Sequence, residues 1–182
     1  MRTEPHTQEL LIVFMDISHF ERAMRGKDPL TIAPHLEGFY KRVGAAVRGA
    51  GGHVCKYLGD GAICIFEEAE ADGGVCAVAD LKSELDGWMA SLGWDCELIV
   101  QAHFGSALVG TFSDGETTFL EVVGRAVNTA ATLDSTGITL SAEAFRKLSP
   151  ETRKRFKKHS RPVTYIRSED PRTRRRPRGR DL

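Results

Sequence analysis

Two carboxylates, Asp16 and Asp60, have the spacing and surroundings of a cation site. Asp16 closes the apolar run Leu10-Leu11-Ile12-Val13-Phe14-Met15, and Asp60 sits in the tight turn Gly59-Asp60-Gly61. Carboxylates meeting at neighbouring strand tips suit a pair of hard divalent cations, whose preferred ligands are oxygens. Two such ions serve in-line displacement on a nucleoside triphosphate: one activates the attacking hydroxyl, the other compensates charge on the departing pyrophosphate. Without metal the two carboxylates repel each other, so the site is expected to be loose or to shift a pKa. Singly, Asp16 is also an ordinary strand-end residue and Asp60 an ordinary turn former. It is their combination with Lys56 and Asn128 that points to chemistry.

The elements that must position these side chains follow from periodicity and turn signals. Residues 10–17 read as a buried strand, continuously apolar. Asp28-Pro29 starts a helix whose apolar positions Leu36, Phe39, Tyr40, Val43 and Val47 recur at helical spacing until Gly49, Gly51 and Gly52. Residues 53–58 and 62–66 are two strands joined through the Asp-Gly turn. A helix over 73–91 and a strand over 96–102 come next, then a hairpin of 107–112 and 118–123 around Ser113-Asp114-Gly115. A short helix at 126–133, a strand at 138–141, a helix pair over 142–158 broken at Pro150, and a strand at 163–166 complete the series. This order is α+β: a sheet covered by helices, with a ferredoxin-like βαββαβ core and additional αβ elements. No Gly-rich turn follows the first strand, which excludes a Rossmann fold and a P-loop.

The bulk numbers bound the class. A chain of 182 residues with 41% hydrophobic and 27% charged residues has the composition of one globular domain. It has neither an 18-residue apolar run nor a signal-peptide core at its start, so a cytoplasmic protein is expected. Residues 1–8 read as a leader, 9–168 as the catalytic domain and 169–182 as a basic tail, disordered from Asp170 to Leu182. Cys55, Cys64, Cys76 and Cys96 follow no zinc spacing and read as buried thiols. Zero net charge hides an asymmetry: residues 146–182 carry 15 Lys and Arg against 4 Asp and Glu. That portion reads as a solvated tail or an arm folded onto the acidic body; no nucleic-acid or membrane partner is expected.

Over roughly residues 9–166 the chain resembles the catalytic domain of class III nucleotide cyclases. Four stretches carry the resemblance: Phe14 to Phe20, Gly51 to Gly61, His103-Phe104-Gly105, and Gly124 to Ala131. The resemblance implies a dimerisation hairpin, a head-to-tail homodimer with active sites at the interface, and two Mg²⁺ or Mn²⁺ ions per site. It makes Asp16 and Asp60 the metal-binding pair, with the Ile17 carbonyl as a further ligand. Lys56 and Glu121 then contact the base, Asn128 positions the ribose, Lys157 reaches the phosphates and Phe20 lines the substrate site. Chemically, Lys56 and Glu121 serve either adenine, through N1 and the amino group, or uracil, through O4 and N3–H.

Four departures from the family pattern matter. His19 stands where the metal loop usually has glycine, and Glu21 where it has threonine. Thr132 stands where an arginine usually steadies the transition state, a loss worth roughly 10³ in rate; Arg125, one turn earlier, is the candidate substitute or else a surface arginine. Glu121 is longer than the usual Asp or Thr and narrows the pocket, which favours a smaller base. A domain this small, with no sensory part, also resembles the pyrimidine cyclases of bacterial anti-phage (Pycsar-type) systems, which make cyclic UMP or CMP for a separate effector. An adenylate cyclase and a catalytically silent nucleotide-binding dimer are the alternatives, the second resting on Thr132 and His19. Tyr57 is expected to face away from Lys56 and pack in the core.

Overall fold

The apolar run ending at Asp16 lies in β1 (His6–Ile17), which pairs along its length with β4 (Leu98–Ser113) and on its other edge with β3 (Gly61–Glu67). A computed structural model describes residues 4–134, 137–159 and 163–169. The remaining elements are α1 (Phe20–Met24), α2 (Pro29–Gly49), β2 (His53–Tyr57), α3 (Ala71–Ser91), β5 (Thr118–Val123), α4 (Arg125–Ala131), β6 (Ile138–Ser141), α5 (Ala142–Arg146), α6 (Pro150–Arg153), β7 (Phe156–Lys158) and β8 (Thr164–Arg167). They form one eight-stranded sheet of order β2-β3-β1-β4-β6-β8-β7, with β5 paired to β4. The α+β expectation holds.

The alternation along β1 and β4 divides the sheet into two faces. Leu11, Val13, Met15 and Ile17, with Leu98, Val100, Ala102 and Phe104, bury against α2 and α3 in the larger core. Leu10 and Ile12 lie on the opposite face with Ile63, Ile65, Val109 and Val122, covered by Ala126 and Ala130 of α4. Asp16 continues the Leu10, Ile12, Phe14 series, so the pleat aims it at this second, less covered face.

Three expectations are corrected, and one element is new. The expected leader, residues 1–8, includes the first residues of β1, because His6 to Gln8 pair with Ala107 to Val109. The two segments expected at 96–102 and 107–112 are one strand, β4: twelve consecutive partners on β1 carry the ladder through Gly105. Residues 156–158 are a strand rather than a helix end. Their spacing is carried by Lys157 and Lys158, which have no apolar stripe to bury, and Phe156 fills the core while the segment pairs with β8 at the sheet edge. The short helix α1 was not anticipated. The expectation for residues 170–182 lies outside the described residues.

The helix boundaries follow local chemistry. Asp28 caps α2, its carboxylate accepting the Leu30 N–H at 2.9 Å ahead of Pro29. Ser141 and Ser149 cap α5 and α6 in the same way. Among the described residues no helix is long and apolar enough to cross a membrane. All four cysteines are free; Cys64 and Cys96 are buried, and Cys55 and Cys76 half-buried.

Candidate active site

Asp16 and Asp60 are brought together by the β1–β3 register, in which Asp16 faces Gly61. The Ile17 N–H donates to the Asp60 carbonyl at 3.1 Å, tying the two tips directly. Gly61 is needed for this approach: a Cβ there would stand 2.8 Å from the Met15 carbonyl oxygen and 3.3 Å from Asp16 Oδ1. The turn itself closes through Leu58 N–H to the Gly61 carbonyl at 2.8 Å. Tyr40 of α2 holds it from behind, its hydroxyl donating to the Gly59 carbonyl at 2.9 Å. Tyr57 in turn donates to the Tyr40 carbonyl, and the two rings lie 4.3 Å apart. Tyr57 is therefore a core-packing residue, as expected.

Asp16 lines an open cleft of about 600 Å³ with Ser18, His19, Asp95, Glu97, Ile99 and Gln101. Although Asp16 keeps contact with solvent, the protein wall around its carboxylate strips part of its hydration. That desolvation, with the charge of Asp60 second, raises its pKa above the ordinary value. A divalent cation's charge would offset both effects, and the two neighbouring carboxylates offer the oxygen donors that a hard cation takes. Among the described residues no three His, Cys, Asp or Glu side chains converge to hold a metal. The two carboxylates would need backbone or substrate oxygens to complete an ion's shell.

His19 holds φ at 57°, the one non-glycine with positive φ among the described residues, and stands at the N-cap of α1. The backbone keeps the left-handed geometry a glycine would supply, at a cost of roughly 1–2 kcal/mol for a β-carbon-bearing residue. Phe20, the next residue, sets its ring edge-on to Trp94, with centroids 6.1 Å apart. Half-buried, it packs α1 against the body.

Lys56 owes its direction to a β-bulge. Between Val54, opposite Cys64, and Lys56, opposite Ile63, Cys55 is an extra residue. The bulge turns Lys56 to the second face of the sheet and leaves Tyr57 on the first. There Lys56 Nζ donates to Glu121 Oε2 at 2.6 Å, joining β2 to β5. Burial works against the charge on Glu121, but the hydrogen bonds from Lys56 and the Val122 N–H outweigh it and lower its pKa. The same wall pushes the Cys55 thiol up to about 12, mainly by burial and secondarily through Glu121, so it stays protonated.

Asn128 and Arg125 are exposed on α4 and line a groove of about 510 Å³ with Val122, Val123, Gly124 and Val127. Thr132 caps this helix at its C-terminal end, its hydroxyl donating to the Asn128 carbonyl at 2.9 Å. Lys157 lies on β7 at the sheet edge opposite β2, where its Nζ donates to the Ser168 carbonyl at 3.2 Å. A single chain thus joins Asp16 with Asp60 and Lys56 with Glu121, and leaves Lys157 apart from both pairs. Ser18, Asp95, Glu97 and Gln101 line the cleft without having been anticipated. Their place depends on the register between β1 and the start of β4, which the sequence signals only through the long matching apolar runs.

A family model described as the adenylate and guanylate cyclase catalytic domain matches residues 3–174. A curated adenylate cyclase of Anabaena cylindrica is 24% identical over 136 residues. That match covers 70% of this chain and 27% of the relative, so the chain spans about a quarter of the relative's length. Among solved structures, the adenylyl cyclase CyaB from P. aeruginosa superimposes with a TM-score of 0.77 at 18% identity, covering 95% of this chain and 100% of that one. The guanylate cyclase domain of RhGC from Catenaria anguillulae, in complex with GTP, gives 0.73 at 16% identity over 90% and 97%. At these identities the structures establish the fold.

Proposed function

The chain belongs to the adenylate and guanylate cyclase catalytic domain family, and on that premise we propose that it converts a nucleoside triphosphate to a 3′,5′-cyclic nucleotide and pyrophosphate. The observation that carries this reading is the apposition of Asp60 with Asp16, which lines the open cleft, with Ile17 bonded to the Asp60 backbone. In the reaction the 3′-oxygen attacks the α-phosphorus, the bond to the β-phosphate oxygen breaks, and the hydroxyl proton passes to solvent. Asp16 and Asp60, with the Ile17 carbonyl, would hold two Mg²⁺ or Mn²⁺ ions, which when bound would supply hydroxyl activation and charge compensation. Phe20 sets the helix that follows the cation loop, Asn128 orients the ribose, Arg125 offers a cation from α4, and Lys157 reaches the phosphates.

The active site is shared by two copies of the chain. Leu108, Phe119 and Val123 are exposed on one face of the β4–β5 hairpin, where Leu108 and Val123 are register partners. An apolar strip of that kind supports a homodimer in which one copy's carboxylates meet the other's Lys56, Glu121 and Asn128.

Lys56 and Glu121 read the base. Held together at 2.6 Å, they present a donor beside an acceptor; the length of Glu121 favours a pyrimidine substrate, UTP or CTP, and the resemblance to anti-phage pyrimidine cyclases implies a product sensed by a separate effector. Adenine is the second reading, since its N1 and amino group meet the same pair. The test is incubation of the purified protein with ATP, GTP, CTP and UTP separately with Mn²⁺, the products identified by mass. Cyclic UMP or CMP upholds the pyrimidine reading and cyclic AMP the second. Bound nucleotide without any product would make the protein a silent binding module.

A further inference from the structure

Lys82 on α3 is only 8% exposed, and the reading above gives it no task. An ammonium in that position has a desolvation cost that hydrogen-bonded partners must offset, and an apolar residue would fill the space as well. Its Nζ donates to Asp86 Oδ2 at 2.7 Å and reaches Glu97 Oε2 at 3.4 Å. The other oxygen of Asp86, Oδ1, accepts the Leu98 N–H at 2.7 Å. One buried cation thus grips both residues at the entrance of β4.

That entrance borders the cation loop. Leu98 is the register partner of Ile17. Glu97 is joined to Ser18 twice: the Ser18 N–H donates to the Glu97 carbonyl at 2.8 Å, and the Glu97 N–H donates to Ser18 Oγ at 2.9 Å. Ile17 then donates to the Asp60 carbonyl. An unbroken series of contacts therefore runs from Lys82 through Asp86 and Glu97 to the two residues that follow Asp16. Glu97 itself lines the cleft beside Asp16.

We infer that Lys82 is a positioning residue for the cation loop: through Asp86 and Glu97 it holds the Ile17–Ser18 backbone that sets Asp16 against Asp60. Its metal readout rests on the cation-site reading of those aspartates; its backbone readout does not. Residues that orient a metal's ligands typically change metal affinity by 10–100-fold when removed.

The experiment compares the full chain with Lys82→Met, which keeps the stem and removes the charge, and with Ser18→Ala, which removes one of the two ties to Glu97. Without nucleotide, amide hydrogen exchange at Ile17 and Ser18 is expected to quicken at least about tenfold in both variants, and the Mn²⁺ Kd to rise about tenfold. Metal-free nucleotide binding in EDTA should stay as in the parent for Lys82→Met. Lys82→Met with parental exchange and parental Mn²⁺ affinity overturns the inference, even if its melting temperature falls. If Lys82→Met does not fold, unchanged exchange and Mn²⁺ affinity in Ser18→Ala overturn it instead. A parent chain that binds no Mn²⁺ sinks the cation-site reading, and the exchange comparison still decides the role of Lys82.

Discussion

Lys56 Nζ donates a 2.6 Å hydrogen bond to Glu121 Oε2 between β2 and β5, strands at different places in the sheet that share no backbone pairing. The pair is partly open to solvent, so it adds no more than about 1 kcal/mol to the fold. Its weight lies in recognition.

Glu121→Gln should therefore leave stability nearly unchanged and raise KM for the preferred nucleotide by about tenfold, the value of one charged hydrogen bond. Discrimination among the four triphosphates should shrink with it. Steady-state kinetics on each nucleotide checks this, and an unaltered base ranking would remove the pair from recognition. The pH sense is fixed by the lowered pKa of Glu121. The pair's contribution is complete above the ordinary carboxylate value and is lost as pH falls through the lowered one. Base ranking should hold constant across the neutral range.

Asp16 acts in the opposite sense. Desolvation, and then the charge of Asp60, raise its pKa in the folded chain above 3.8. The folded state therefore binds its proton more tightly than the unfolded state does. Metal-free protein should lose stability as pH rises from about 3.8 through the raised value. Melting curves in EDTA across that window should show the loss in the parent and not in Asp16→Asn. Mn²⁺ should restore stability to the parent only, and Asp16→Asn should have no turnover. Melting curves of equal slope for the two proteins would count against the strained carboxylate pair.

Much of the frame was legible because local signals and tertiary pairing agree. Asp28-Pro29 and Val47 to Gly52 bound α2, and the Asp-Gly turn joins β2 to β3. Where they disagree, the reading failed. Residues 96–102 and 107–112 read as separate strands, yet a continuous ladder with β1 through Gly105 overrides weak local preference. Lys157 and Lys158 looked helical, yet edge pairing with β8 needs no apolar stripe. At the site, Asp16, Asp60 and Lys56 carried motifs. The contact between Lys56 and Glu121, and the network of Lys82, depend on a bulge and a register that no local window contains.

His19 tests how far backbone geometry sets the cation loop. Its φ of 57° is one glycine adopts freely. In His19→Gly, relief of strain and added freedom of the unfolded chain oppose each other, so stability should stay within about 1 kcal/mol of the parent. His19→Val puts a β-branched residue in the same conformation and should cost about 2 kcal/mol or more. Denaturant midpoints decide between them. Equal midpoints for the two variants would mean that the loop relaxes out of the left-handed conformation.

Thr132 and Arg125 make the last test. Thr132 is exposed and spends its hydroxyl on the Asn128 carbonyl at the end of α4, so an arginine there meets no packed wall. Arg125 begins the same helix and lines the groove with Asn128. If Arg125 supplies the cation that steadies charge on the phosphate, Arg125→Ala should lower kcat by about 10²–10³ with KM little changed. Adding Thr132→Arg to that variant should return part of the rate, since the new guanidinium projects from the same helix. A kcat that survives Arg125→Ala while Thr132→Arg alone raises it would assign no catalytic charge to Arg125, and would show a site running without its transition-state cation.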